Sequence, residues 1–437
     1  MTSTEFDVVV AGAGFAGLSA AARLTKRGAR VLVLDARSRL GGRATAFSDR
    51  ETGELVDNGQ HVLLGCYRDT LSFLADVGAM DNVRVQRQLS VTMIDRDGRL
   101  SRLVCPALPS PLHLVGGVLE WDALGWRDRL SILRMDGPLH LKPTHEETVE
   151  AWLIRNGQTP RLREMLWEPL ALAALNQSIA VATAAPFARV LDEMFGPDPQ
   201  AAAIVLPAKP LHQMYAEPAR AFIEGRGGSV RTGTPAFVSI GAAGVTVEAG
   251  DDRWTPKAVI SAVPWFALDN LIVGDRSPLH EVIRCANAMT SSPIVTVNLW
   301  FDRVVMPGDE PFVGLPGRDM QWVFDKRLVF GGSASHLSLV SSGASPLVAK
   351  TNAELVAAAH QELSDALPEV RAARLVRSTV IREPRATFSL APGQPRRPQA
   401  RTNVPGLFLA GDWIDTGLPA TIESAVRSGH AAADCVS

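Results

Sequence analysis

Asp7-Val-Val-Val-Ala11 runs straight into Gly12-Ala-Gly14-Phe15-Ala16-Gly17 and then into Leu18-Ser-Ala-Ala-Ala-Arg-Leu24. The β-branched run predicts a strand buried on both faces of a parallel sheet. The Ala- and Leu-rich run predicts a helix, with Gly28 at its C-terminal end. Gly12 permits the tight strand-to-helix turn, Gly14 lets backbone approach a pyrophosphate, and Gly17 allows close helix–strand packing. The helix N-terminus offers N–H groups and a positive dipole end to phosphate. A second buried strand, Val31-Leu-Val-Leu34, ends in Asp35. Asp35 lies 18 positions beyond Gly17 (35 − 17), where a carboxylate accepts hydrogen bonds from an adenosine ribose diol. These spacings predict an α/β chain with a Rossmann-like dinucleotide-binding domain.

The next residues, Ala36-Arg37-Ser-Arg-Leu-Gly41-Gly42-Arg43-Ala44, resemble the extended fingerprint of the large FAD-binding superfamily. That superfamily includes amine oxidases, protoporphyrinogen oxidase and carotenoid desaturases. Gly41 and Gly42 let the chain pass close to a cofactor, and Arg43 is suited to a charge-assisted bond to phosphate; a plain surface arginine is the alternative. Near the other end, Leu407-Phe-Leu-Ala410 reads as a buried strand followed by Gly411-Asp412-Trp413 and Thr416-Gly-Leu-Pro-Ala-Thr421-Ile422-Glu423-Ser-Ala425. The resemblance places Asp412 near the ribityl and pyrophosphate, and the following helix N-terminus, with Thr421, Ile422 and Ala425, at the flavin pyrimidine edge. Pro419 suits the first turn of that helix. Cys435 is the nearest cysteine and lies beyond the motif, so FAD is expected to be held noncovalently.

The 437 residues allow two domains, and a formal net charge of −2 argues against nucleic acid as the main partner. Four scattered cysteines (Cys66, Cys105, Cys285, Cys435) show no metal-ligand spacing, so neither a metal site nor a disulfide framework is expected. Met1–Asp7 carries Glu5 and Asp7 and no basic run, so no secretory signal is expected. Leu103–Leu119 has no charged residue, but Pro106, Pro109, Pro111, Gly116 and Gly117 interrupt it. It reads as a loop, either buried against a pocket or touching lipid, and not as a spanning helix.

Between the two motifs, Gly225–Thr232, Gly244–Glu248 and Ala258–Pro264 look like short strands. The FAD-binding domain is therefore expected to be discontinuous, from residues 1–90, 215–265 and 391–437. It is interwoven with a mixed α+β substrate domain from 91–214 and 266–390. Block 91–214 is helix-rich at Trp126–Leu133, Thr148–Trp152 and Leu162–Leu175. Block 266–390 opens on an alternating strand, Ile294–Trp300. Ala391–Arg401 reads as a surface connection.

Several blocks, in order along most of the chain, resemble the squalene-associated FAD-dependent desaturase family, the hydroxysqualene dehydroxylases. They are Val56-Asp-Asn-Gly59-Gln60-His61-Val-Leu-Leu-Gly-Cys-Tyr67, Leu166-Trp-Glu-Pro-Leu170 with Ala173–Asn176, Tyr215–Gly228, Gln321–Asp325 and the Gly-Asp-Trp block. The resemblance implies that Gly59, Gln60 and His61 lie by the isoalloxazine and that Ala236 lies by the adenine. It also implies a polyisoprenoid substrate and reductive loss of an allylic hydroxyl as water, with hydride from reduced flavin. The proton donor has three candidates. His61 has a donor, a flavin hydrogen-bond and a structural role open to it. Glu168 sits in an apolar helical block where burial would keep it protonated, with a capping or ion-pair role as the alternative. Tyr67 is the third, against the reading of a packed aromatic. Trp167, Trp300 and Trp322 are candidates to line a tunnel, or are core.

A phytoene-type desaturase shares the fold, flavin and substrate class but runs in the opposite redox direction. An amine oxidase is less favoured, because the chain has only Tyr67 and Tyr215 as tyrosines. A flavin-free, lipid-binding escort protein for prenylated GTPases is the non-enzymatic alternative. No second nucleotide fingerprint identifies the electron donor. The expected location is the cytoplasm, with peripheral contact at the cytoplasmic face of the inner membrane, since a C30 substrate must be collected from lipid or from a partner enzyme. Leu103–Leu119 is the candidate for that contact.

Overall fold

The computed structural model describes residues 2–3, 6–109, 112–135, 143–144, 146–242, 244–306, 308–331 and 335–436. Val8–Ala11 and Val31–Leu34 form neighbouring parallel strands whose residues are all buried, as their unbroken apolar sequence requires. Ser229–Arg231 adds outside Val31–Leu34, while Ala258–Ser261 and then Leu407–Leu409 add on the other side of Val8–Ala11. The resulting order, third-second-first-fourth-fifth along the chain, matches five of the six strand positions of a dinucleotide-binding fold.

Helix Phe15–Lys26 follows the glycine loop and ends at Gly28, whose φ of +89° lets the chain turn out of the helix. Helix Ile422–Cys435 packs along it. Pro419 does not open that helix: Thr421 is the cap, its hydroxyl accepting the Ser424 N–H at 3.1 Å, and Pro419 lies outside the first turn.

A seven-stranded, mainly antiparallel sheet forms the second body, in the order Leu375–Phe388, Ser291–Phe301, Ser335–Ser342, Trp322–Asp325, Phe312–Gly314, Ser90–Ile94 and Leu100–Val104. Alternation divides Ser291–Phe301 between two faces. Val295, Val297, Leu299 and Phe301 pack with Leu355, Ala359 and Leu363 of helix Asn352–Ala366. Thr296, Asn298 and Trp300 face the opposite way. Strands of the two sheets alternate along the chain, so the two bodies are woven together by repeated crossings.

The stretch Leu103–Leu119 is not a loop. A strand ends at Val104 and a helix spans Leu112–Glu120; Pro111 lies outside the described residues. The glycines read as breakers are packing positions: a Cβ on Gly116 would lie 2.9 Å from Pro106, and one on Gly117 would lie 3.0 Å from Cys105 Sγ.

Where the two cofactor-side helices cross, Gly429 sits so close to the other helix that a Cβ would fall 2.2 Å from the Ala16 carbonyl oxygen and 2.4 Å from Ser19 Oγ. Gly429→Ala must push the helices apart. It is expected to cost about 1–3 kcal/mol of overpacking, read as a lower Tm together with reduced absorbance at the flavin band.

Candidate active site

The three glycines of the first loop do different work. A Cβ on Gly12 would lie 2.7 Å from the Ala262 oxygen, and one on Gly17 would lie 1.9 Å from the Gly12 oxygen, so both are closed by protein. A Cβ on Gly14 would meet only Gly41 O and Gly42 Cα, each at 3.9 Å. No side chain caps the helix that starts there, and its first turn holds no acid. An open glycine beside uncapped helix N–H groups is a cradle of the kind an anionic phosphate fills. Phe15 and Ala16 continue this turn, buried.

Asp35 Oδ2 accepts the Ala13 N–H at 2.7 Å and Oδ1 accepts the Arg37 N–H at 2.8 Å, which aims the carboxylate along the loop. Thr234 N–H bonds Asp35 O, and Gly233 N–H bonds Arg37 O. This ladder holds the chain two residues before Ala236 against Asp35 and Arg37. Gly41 N–H bonds Ala13 O at 2.9 Å, so the second glycine pair lies on the first loop. Tyr215 fixes that arrangement: its hydroxyl donates to Gly41 O at 2.9 Å, with Ala44 O at 3.3 Å, and its ring stacks on Phe15 with centroids 3.5 Å apart.

Arg43 differs from its expected role as a phosphate ligand. Its guanidinium donates to Asp412 Oδ1 at 2.6 Å and to Ala386 O at 2.6 Å, over the ring of Trp265. It ties the N-terminal fingerprint to the C-terminal Gly-Asp motif. There Gly411 N–H bonds Ser428 Oγ at 2.7 Å, and Trp413, fully buried, donates to Val263 O at 3.0 Å.

The loop Asp57–His61 is anchored by a buried ion pair, Lys326 Nζ to Asp57 Oδ2 at 2.9 Å, with Gln60 Oε1 also on Lys326. Gly59 turns at φ +82°. His61 Nδ1 lies 2.9 Å from Gly59 O. A carbonyl only accepts, so Nδ1 carries a proton. Burial, with Arg43 and Lys326 close by, holds the imidazole below its ordinary range. That shift favours the neutral ring, whose Nε2 would accept a hydrogen bond on its free side.

Tyr67 sits against Leu418 and Thr421, with its phenol pushed up by burial. Ile422 and Ala425 begin the helix beyond. Glu423, buried, caps another helix: its carboxylate accepts the N–H groups of Asp69 and Thr70 at 3.0 and 2.9 Å. Glu168 is turned to its own fold, accepting the Ile179 N–H at 2.9 Å, and burial raises its pKa. Trp167 packs on Phe187 and donates to Gln158, a core residue and not a tunnel wall. Trp300 stacks on His336 and donates to Glu54, and Trp322 packs against Phe312.

FAD fits this set. The Gly14 cradle would take the pyrophosphate and Asp35 the ribose, while the Gly59–His61 loop and the segment after Asp412 converge through Arg43. Fold and site define a flavin-dependent oxidoreductase. The family described as flavin containing amine oxidoreductase matches residues 15–437, and the chain belongs to it. Among relatives, it is 30% identical to hydroxysqualene dehydroxylase of Rhodopseudomonas palustris over 98% of both chains. It is 25% identical to 15-cis-phytoene desaturase of an Oncidium hybrid over 98% of this chain and 77% of that one. The fold matches an oxidoreductase from Methanosarcina mazei with a TM-score of 0.76 at 18% identity, covering 97% and 98% of the two chains. FAD is the cofactor of this enzyme.

Two outcomes follow from this geometry. Asp412→Ala leaves Arg43, a quarter exposed, without its anion. Breaking such a pair costs about 3–5 kcal/mol when fully buried, so the lower end is expected, with loss of bound FAD. A double variant that also replaces Arg43 by Met should recover part of the Tm. The second concerns His336, whose pKa burial pushes down from 6.5 to about 3. Between those values the unfolded chain binds a proton that the folded chain refuses. Stability is therefore full above the upper value and is lost as pH falls toward the lower one. Thermal melts across that range should show the fall, and His336→Gln should flatten it.

Proposed function

We propose that the chain catalyses FAD-dependent reductive dehydroxylation of hydroxysqualene to squalene, in squalene and hopanoid biosynthesis. What carries this reading is the end-to-end likeness to the Rhodopseudomonas palustris dehydroxylase, which spans both chains almost completely. Reduced FAD, when bound, would supply both hydride and proton, so that R–OH and FADH2 give R–H, water and FAD. The protein has to hold an alcohol oxygen in apolar surroundings and receive it as it departs.

The sheet face under the Gly59 loop carries groups suited to that task. Thr296 Oγ1 would lie 3.7 Å from a Cβ on Gly59. Thr296 Oγ1 and Asn298 Nδ2 are both buried without a hydrogen-bond partner among the described residues. Asn298 Oδ1 accepts His336 Nε2–H at 2.9 Å, which fixes the amide and leaves its NH2 as the free donor. A buried donor without a partner costs about 1–3 kcal/mol, a deficit that a substrate hydroxyl removes. In this reading Thr296 and Asn298 hydrogen-bond the alcohol oxygen and then the departing water, while His61 holds its place by the flavin.

A phytoene-type desaturase is the second reading, favoured by the desaturase match over 98% of this chain. Purified protein with reduced flavin and hydroxysqualene should give squalene, whereas phytoene with an oxidant should give no desaturated product; the reverse pattern selects the desaturase. In the same assay Thr296→Val with Asn298→Leu should retain flavin and lose at least about tenfold in turnover, corresponding to about 1.4 kcal/mol.

A further inference from the structure

Fourteen large apolar side chains stand exposed among the described residues. Six of them, Leu108, Leu112, Leu119, Trp126, Leu130 and Leu133, fall in the 26 positions from 108 to 133, where an even spread (14 × 26/437) gives about one. The concentration has a helical cause. In helix Leu112–Glu120, residues His113, Leu114, Gly117 and Val118 are buried and Gly116 packs on Pro106, while Leu112 and Leu119 are exposed and Val115 is half-buried between them. Leu108 lies against the Gly116 position. The next helix, Trp126–Ser131, and the turn Ile132–Met135 repeat the pattern. Ser131, Ile132 and Met135 are buried, while Trp126, Leu130 and Leu133 face out, Trp126 at 68% exposure. The two segments pack against each other.

Charge borders this surface in a particular way. Arg127 lies over the Trp126 ring at 5.3 Å, and Arg134 is exposed beside Leu133. Of the neighbouring acids, Asp128 turns back to accept the Gly125 N–H and Asp122 pairs with Arg99, leaving Glu120. An exposed tryptophan with an arginine on its face, next to outward leucines, has the chemistry of a water–lipid boundary, where the ring is half wet and the guanidinium reaches phosphate. Among the described residues no helix is long and apolar enough to cross a membrane, so any insertion is shallow.

We propose that the paired segments Leu112–Glu120 and Trp126–Met135 dock the enzyme on a phospholipid bilayer, inserting Leu112, Leu119, Trp126, Leu130 and Leu133 among the acyl chains, with Arg127 and Arg134 on the phosphates. The use of such a dock rests on the isoprenoid reading above, since a C30 substrate resides in the bilayer; the dock itself does not depend on that reading. It moves the lipid contact from an extended loop to two amphipathic helices and extends it beyond residue 119.

The test uses FAD-loaded full-length protein and vesicles of phosphatidylcholine with or without phosphatidylglycerol. In flotation, Leu130→Glu and Leu133→Glu should each lower vesicle partitioning at least about tenfold. Val376→Glu, at an exposed apolar site elsewhere, should not. All three should keep their flavin absorbance, and turnover of hydroxysqualene presented in detergent should be unchanged. Turnover from vesicles should fall only for the two dock variants. The proposal is overturned if the wild type fails to float, or if the dock variants float as it does. It is equally overturned if the variants change oligomeric mass in light scattering and not flotation, which would make the surface a contact between copies of this chain. Patch-dependent flotation without squalene formation in either medium would sink only the substrate reading.

Discussion

One ion pair joins what 369 positions of sequence hold apart: Arg43, from the glycine-rich fingerprint, on Asp412, from the last strand's end. Neither residue is positioned by its own motif alone. Arg43 follows Gly41 and Gly42, whose φ of +98° and +58° carry the chain over the first loop. Asp412 needs Gly411, whose N–H is held by Ser428, and Trp413, which anchors the turn to Val263. A charged pair this sheltered has little net stability to give, because desolvation offsets most of the attraction. Its effect is on specificity: chain paths that leave either charge unpaired are heavily penalised, so both halves of the flavin site are fixed together.

The helices behind the site obey the same logic in apolar form. Phe15–Lys26 can lie against Ile422–Cys435 only because Gly429 removes the atoms that would collide with Ala16 and Ser19. Glu423, at the start of helix Ile422–Cys435, spends its carboxylate on the N-terminus of helix Arg68–Asp76, and Arg427 and His430, also of Ile422–Cys435, reach Asp69. The C-terminal motif is thus clamped to helix Phe15–Lys26 by close packing and to helix Arg68–Asp76 by capping. The position of Tyr67, one residue before that capped helix, follows from the clamp.

What was legible in the sequence was what neighbouring residues decide. The strand Val8–Ala11, the loop Gly12–Gly17 and the acid Asp35 are set by period, glycine spacing and helix propensity within a few dozen residues, and they stand where expected. The fate of a side chain that has two good partners was not legible. Arg43 suits phosphate or carboxylate equally, and only the distant Asp412 decides. Glu168 reads as an acid held protonated by burial, and the decisive fact is the Ile179 amide 11 residues on. Leu112–Glu120 was hidden because Gly116 and Gly117 normally weaken a helix, by about 1 kcal/mol each. Here they let it close on Pro106 and Cys105, and tertiary contact outweighs propensity.

Another signal in the sequence bears on the one tyrosine that organises the cofactor loop. The chain has two Glu-Pro pairs just inside helices, Glu168-Pro169 and Glu217-Pro218, and each is preceded by a π-helical turn, Arg163–Trp167 and His212–Ala216. Proline has no N–H for the carbonyl four residues back, and its ring crowds that carbonyl, so the turn before it widens by one residue. An extra residue in the turn rotates every preceding side chain by about 100° relative to the following helix. Trp167 and Tyr215 both stand in such turns, and both are carried into the interior, Tyr215 onto Phe15 and the carbonyls of Gly41 and Ala44. A regular helix through His212–Ala216 would point that ring elsewhere and leave the second glycine pair without its hydroxyl. Pro218 therefore acts on the flavin loop from a distance, by deciding where the phenol of Tyr215 points.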